Sequence, residues 1–403
     1  MKHLEVHHKT NFNKPKYEIG DIFRENRDKL SHLKLSRGQK KVVKAIIHCR
    51  TARLGGHKII CKDCGYSEIS YNSCRNRHCP KCQYFKKLKW LNKRIEEILP
   101  VKYFHIVFTI PHLLNPLVLQ NKKELYGIHF KAVNETLTEA ALNPKNLGAK
   151  IGFMSILHTW GQNLLDHPHM HCVVTGGGLN KDKTKWISSR DNFFIHVKRL
   201  SKLFRGKYLY YLKMAYNEKN IKFYGKLKEL RYRDNFNSFL SQLYKKDWVV
   251  YSKKPFDNPV NVFKYLGRYT HRIAISNNRI VKVTKNEVSF RWKDYRNGNK
   301  KKIMKLSVEE FMRRFLLHTL PKGFKRIRFY GLLSNRYKKE NIKRIRELLN
   351  DSEDTPMEIK ANVPELILIE NDERTYRCPK CQSANVTIKE IPIEYISDYW
   401  DTS

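Results

Sequence analysis

Apolar and aromatic residues recur along this chain in two periods, and the change from one to the other divides it. Residues 18–50 place Ile22-Phe23, Val42-Val43 and Ala45-Ile46-Ile47 at helical spacing. From Phe104 the texture changes. Residues 104–110 form a β-branched and aromatic run ended by Pro111, which predicts a strand. A helix is predicted over 122–142 and a second strand over 151–157. A third strand carries His167-Pro168-His169-Met170-His171-Cys172-Val173-Val174, with Gly176-Gly177-Gly178 as its expected end. The period of two puts His169, His171 and Val173 on one face and turns Met170, Cys172 and Val174 towards a core. Strand, helix, strand, strand implies an antiparallel sheet with helices on one side, an α+β fold.

Further on, residues 190–245 are basic, rich in Leu and Tyr, and predicted helical, as a solvated surface or a DNA-tracking arm. Asn258-Pro259 begins a helix on which Tyr265 and Tyr269, four apart, project from one face. Such a pair commonly belongs to a core stripe, but Lys264, Arg268, His271 and Arg272 surround this one. A hairpin is predicted over 279–292 and a helix over 309–320. After Asn341 the charge turns more acidic, with Pro356 and Pro364, and the segment reads as a linker. The expected divisions are 1–100, 101–340 and 341–403.

Charge changes the picture most. Lys and Arg total 80 against 38 acidic residues, a formal net charge of +42 over 403 residues. Such an excess is a solubility cost unless a polyanion offsets it, and it favours nucleic acid over a membrane surface as partner. The 22 tyrosines and 20 phenylalanines among the basic residues suit single strands, whose bases need stacking platforms. The most apolar stretch, 105–120, is broken by two prolines and is too short to cross a bilayer. Residues 1–17 lack the apolar segment of a signal peptide. The expectation is a cytoplasmic, nucleoid-associated protein whose clustered cysteines bind metal rather than form disulfides. No Gly-x-x-x-x-Gly-Lys-Ser/Thr occurs, so no built-in motor is expected.

The cysteines sharpen this. Cys61-x-x-Cys64 and Cys79-x-x-Cys82 each present two thiolates from one tight turn, and tetrahedral zinc needs two such turns. These four are the expected structural zinc set, with Cys49, His57, Cys74 and His78 as candidates for a second. Arg75 and Arg77 beside them suggest a module that sits on DNA. Cys378-Pro379-Lys380-Cys381-Gln382 repeats Cys79-Pro80-Lys81-Cys82-Gln83, half a zinc ribbon with no second pair downstream and no assigned role.

Taken in order, these segments resemble the two-tyrosine rolling-circle transposases of the HUH superfamily, insertion sequence 91 type. The resemblance rests on Cys49-Arg50-Thr51-Ala52, Leu54-Gly55-Gly56-His57 and Asn72-Ser73-Cys74-Arg75-Asn76-Arg77-His78-Cys79-Pro80-Lys81-Cys82. It continues through Phe108-Thr109-Ile110-Pro111, His167-Pro168-His169-Met170-His171, Tyr265-Leu266-Gly267-Arg268-Tyr269 and Leu317-His318-Thr319-Leu320-Pro321. It implies an HUH endonuclease core, an antiparallel sheet with flanking helices, over 101–340, and an N-terminal zinc-binding DNA-recognition domain over 1–100.

The resemblance also implies a mechanism. Tyr265 and Tyr269 would attack single-stranded element ends to form 5′-phosphotyrosine intermediates, with Arg268 and Arg272 on the DNA. A Mg2+ or Mn2+ ion held by His169 and His171 would neutralise phosphate charge. Similar nucleases place a Glu or Gln near the position of Gln162, the preferred third ligand, with Asp166, His158 and His167 as competitors. Strand transfer is close to isoenergetic and needs no ATP, but strand separation would call on a host helicase. The alternatives are a rolling-circle plasmid replication initiator and a non-enzymatic zinc-dependent DNA-binding regulator.

Overall fold

The computed structural model describes residues 15–190, 194–253, 256, 258–270, 273–295, 297–351, 354–362 and 376–393. The side chains of Phe263, Arg268, Tyr269 and Asn362 lie outside this description, as does Arg272 altogether. Among the described residues twelve strands follow in chain order: β1 (Gly56–Cys61), β2 (Ser67–Tyr71), β3 (Tyr103–Thr109), β4 (Lys150–Trp160), β5 (Asp166–Leu179) and β6 (Trp186–Ser188) come first. Then come β7 (Val249–Ser252), β8 (Ile280–Val283), β9 (Glu287–Asp294), β10 (Lys300–Ser307), β11 (Ile327–Gly331) and β12 (Val386–Ile391). With the intervening helices this is the expected α+β fold. Among the described residues no helix is long and apolar enough to cross a membrane.

Two compact units divide the chain, and their boundaries differ from those read off the sequence. The first gathers the described residues up to Lys89, those of 271–319 and those of the tail from 368; the second holds the described residues of 90–270 and 320–367. Segment 271–319, expected in the 101–340 domain, therefore belongs with the N-terminal residues. The physical reason is long-range pairing: β12 adds to the β1–β2 hairpin, and the Ile19 amide donates to the Asn277 side chain. The described residues of the segment expected as a linker from 341 include helix, and residues 363–375 lie outside the description. Helices Lys338–Leu349 and Asp354–Asn362 belong to the second unit, anchored by Arg346, which donates to the carbonyls of Glu96 and Ile98.

In the first unit, helix Arg37–Ile47 starts at a reciprocal cap, where the Ser36 hydroxyl accepts from the Gln39 amide and Gln39 answers to the Ser36 amide. Its buried stripe, Val42, Val43, Ile46 and Ile47, repeats at helical spacing. The predicted hairpin is β8–β9, extended by β10 into a three-stranded sheet. Phe290 meets Phe311 of helix Val308–Leu317 over it, with ring centroids 5.9 Å apart.

The second unit is built on an antiparallel sheet of order β11-β4-β5-β3-β7, with β6 paired to the far end of β5. Helices Lys122–Leu142 and Val197–Asn217 cover one face. Phe104, Ile106 and Phe108 of β3, Phe153 and Leu157 of β4, and Met170, Cys172 and Val174 of β5 point into that core. Helix Val197–Asn217 sends Leu200, Phe204, Tyr208 and Leu212 inward, so its basic residues are the outer face of a core helix.

The triple glycine does not end β5, which runs through to Leu179. A Cβ on Gly177 would lie 2.6 Å from the Ile187 carbonyl, and one on Gly178 only 2.2 Å from that of Lys150. The glycines let backbones on both sides close onto the strand.

Candidate functional site: an imidazole cluster and two cysteine tetrads

The face of the sheet opposite the helical core carries the histidines. Alternation along β5 puts His169 and His171 there, as expected, and register then selects their neighbours. His158 of β4 lies directly across from His169, and Val107 and Val173 place His105 of β3 beside His171. One ligand nitrogen from each of His158, His169 and His171 falls within 4.8 Å of the others. Trp160 stacks on the His158 ring at 4.6 Å and fixes its plane.

Two further contacts orient the rings. Nδ1 of His169 lies 2.6 Å from the His167 carbonyl and donates to it, which leaves Nε2 as the lone-pair atom. Nδ1 of His171 lies 2.8 Å from Nε2 of His105, and the two rings stack at 5.1 Å. Burial pushes the His105 imidazole down to about 3, with the charges of Lys253 and His169 adding to the effect. A neutral His105 can accept from His171 and turn the other nitrogen of His171 towards a cation. Sequence reasoning missed His105, because it sits inside an apolar strand with no second ligand-type residue beside it.

The helix Pro259–Tyr269 begins as expected, with the Asn258 side chain accepting from the Asn261 amide and Pro259 in the first turn. Val262 and Leu266 line one small cavity with Met154 and Val173, on the histidine face of the sheet. Tyr265 is buried there, its ring 4.7 Å from that of His105 and 4.8 Å from Phe256. A line of rings thus runs from Tyr265 through His105 to His171. The Tyr269 side chain lies outside the described residues.

The competitors for the third ligand position separate. Gln162 lies half-buried in the turn between β4 and β5, whereas His158 is the side chain that sheet register delivers to the pair. His167 stacks instead on His112 at 5.2 Å. Asp166 falls on the helical side of β5, where neither carboxylate oxygen meets a hydrogen-bond donor. Burial pushes its carboxyl up to about 7, only partly opposed by Lys122.

This last shift has a measurable consequence. A carboxyl with a raised folded pKa stabilises the fold at low pH and loses that contribution as pH rises from about 4 to about 7. Asp166→Asn should remove the slope. Its thermal midpoint relative to wild type should climb between pH 4 and pH 8, by up to a few kcal/mol of stability, and parallel pH profiles would refute the assignment.

The cysteines of the first unit form two tetrads, grouped differently from the expected core set and its candidate second site. Cys61 and Cys64 do not meet Cys79 and Cys82. Cys49, Cys74, Cys79 and Cys82 make one group, and Cys61, Cys64, Cys378 and Cys381 the other. In the first, Cys49 lies 3.6 Å from Cys82 and 3.5 Å from Cys79, and Cys74 lies 3.6 Å from Cys82, sulfur to sulfur. Tetrahedral zinc with bonds of ~2.3 Å sets its sulfurs about 3.8 Å apart. Each group has four thiols, so His57 and His78 have no place to fill. His57 sits in β1, and His78 is held by Asn76. The cause is chain direction: β1 runs along the hairpin to Cys61, while Cys79 and Cys82 flank the start of helix Pro80–Asn92 beside Cys49 at the end of helix Arg37–Ile47.

Of the expected DNA-binding residues, Arg75 is exposed, with its carbonyl accepting from Lys86, while Arg77 is half-buried. Burial lowers the Arg77 guanidinium below its usual range.

Comparison with known proteins defines the class first. Residues 22–110 match the family described as "Transposase zinc-binding domain", and residues 152–341 match the family described as "Putative transposase". The chain is 46% identical over 394 residues to a Sinorhizobium fredii protein named "Putative transposase y4qJ", covering 96% of this chain and 98% of that one. It is 26% identical over 312 residues to the transposase for insertion sequence element IS801 of Pseudomonas savastanoi pv. phaseolicola, covering 77% and 73%. The chain belongs to the IS91-type transposase family, with its zinc-binding domain. No solved structure matches it.

Proposed function

We propose that this transposase nicks and joins single-stranded DNA through tyrosine, at an HUH-type centre on the open face of the β4–β5–β3 sheet. The observation that carries the reading is the convergence of His158, His169 and His171, coupled through His105 to Tyr265. In this reading a tyrosine oxygen attacks the phosphorus, the bond from phosphorus to the 3′ oxygen breaks, and the departing oxygen takes up a proton. The products are a 5′-phosphotyrosine and a free 3′-hydroxyl. The three imidazoles fit a divalent cation, which would supply charge neutralisation at the phosphate.

His158 takes the third ligand position in this reading, in place of Gln162. That substitution shifts the expected metal: three neutral imidazoles suit Mn2+ better than the harder Mg2+, which prefers oxygen. Arg75, Arg77, Arg268 and Arg272 supply phosphate contacts, and a host helicase supplies the single strand. Incubation with Mn2+ and single-stranded DNA should give a protein–DNA adduct that survives denaturation. Its absence across all divalent metals would overturn the assignment.

In the first unit, Cys49, Cys74, Cys79 and Cys82 hold one structural zinc. Cys79→Ser should lose that ion and lower the melting temperature, because structural zinc contributes folding energy directly. Retention of wild-type zinc content by Cys79→Ser, measured by elemental analysis, would remove Cys79 from the set.

A further inference from the structure

The tail repeats the knuckle of the N-terminal hairpin bond for bond. In the hairpin, the Cys61 amide donates to the Tyr66 carbonyl at 2.8 Å and the Gly65 amide to the Cys61 carbonyl at 3.1 Å. In the tail, the Cys378 amide donates to the Ser383 carbonyl at 2.8 Å and the Gln382 amide to the Cys378 carbonyl at 2.8 Å. The residue four beyond the first cysteine is left-handed in both, Gly65 at φ +68° and Gln382 at +62°. Gln382 adopts this region without the freedom of glycine, a strain that something must offset.

The two knuckles face each other. Cys61 lies 3.5 Å from Cys381 and Cys64 lies 3.5 Å from Cys378, sulfur to sulfur. That is near the ~3.8 Å edge of a tetrahedral zinc–thiolate centre and far from the ~2.05 Å of a disulfide. The backbone holds them there. β12 pairs with β1 from Gly56↔Ile391 to Cys61↔Val386, the Lys62 amide donates to the Asn385 carbonyl, and the Asn385 side chain donates to Asp63. Tyr376 donates to Glu68 on β2, from just ahead of the tail knuckle.

We propose that Cys61, Cys64, Cys378 and Cys381 form a second structural zinc site, closed by the chain's tail. Half of it comes from beyond the two segments that match the transposase families, residues 22–110 and 152–341. Four thiolates select a thiophilic tetrahedral ion, Zn2+, over Mg2+, Ca2+ or Mn2+. The ion ties together cysteines more than 300 positions apart in sequence and secures the β12–β1 pairing at its end. The zinc-binding unit is thus complete only when the tail docks, and this holds whatever chemistry the histidine face performs.

The 403-residue protein should carry two zinc ions by elemental analysis, and the double variant Cys378→Ser, Cys381→Ser should carry one. Substituted with Co2+, the wild type should show the charge-transfer absorption of thiolate-bound tetrahedral cobalt at about twice the intensity of the variant. A measurement on unaltered protein guards against misfolding of the variant: alkylation with iodoacetamide, read by mass spectrometry. Cys61, Cys64, Cys378 and Cys381 should be protected together in the zinc-loaded protein and become reactive together on chelation. Alkylation of Cys378 and Cys381 at one rate with and without zinc, or two zinc ions retained by the double variant, would overturn the proposal.

Discussion

With Tyr265→Phe and Tyr269→Phe combined, the protein is expected to fold, bind DNA and form no covalent adduct. Tyr265 is 7% exposed and packed between rings, which a purely structural tyrosine would also show. Burial does not separate the two roles, but the hydroxyl does. If both tyrosines only fill space, Phe keeps the ring and loses about one hydrogen bond, ~1 kcal/mol, with adduct formation intact. If they are nucleophiles, the attacking atom is gone. Each single variant should still nick a simple oligonucleotide through the remaining tyrosine, yet falter in complete transposition, where a second strand transfer follows while the first adduct persists. Mapping the adduct peptide by mass spectrometry in each single variant tells which hydroxyl acts. An adduct in the double variant would dismiss this helix from the chemistry.

The second large effect concerns the cation. His169→Ala and His171→Ala should each depress adduct formation by ~100-fold or more, since even groups that only support a metal ligand cost 10–100-fold when lost. DNA affinity should barely move, because it is set by the many basic side chains rather than by three imidazoles. His158→Ala should behave like these two and demand far more Mn2+, whereas Gln162→Ala should titrate close to wild type. Mn2+ should also support the reaction better than Mg2+. The reverse pattern, a shifted manganese titration for Gln162→Ala and an unaltered one for His158→Ala, would return the ligand to the β4–β5 turn.

The sequence alone determined what depends on neighbours along the chain. Alternation in His169-Met170-His171-Cys172 sorted one face of β5 from the other, because strand period is a local property. Asn258-Pro259 marked a helix start through its own capping chemistry, and Cys61-x-x-Cys64 and Cys378-x-x-Cys381 each announced a knuckle because the turn is made within a few residues, whereas Cys79-x-x-Cys82 opens a helix. The basic excess and the order of motifs pointed to a transposase, which the family comparisons bear out.

Only the tertiary structure decided which of these local pieces meet. Cys61 and Cys64 look equally suited to Cys79 and Cys82 or to Cys378 and Cys381, and strand pairing, not spacing, makes the choice. His158 joins His169 through a register between β4 and β5, and His105 reaches His171 from β3, neither of which a motif could signal. The triple glycine read as a strand end because its purpose, admitting the backbones of residues 150 and 187, exists only once the sheet has formed. Spacing within a segment is written in its own residues, while partnership across segments is fixed by long-range pairing and burial, which no single stretch of sequence contains.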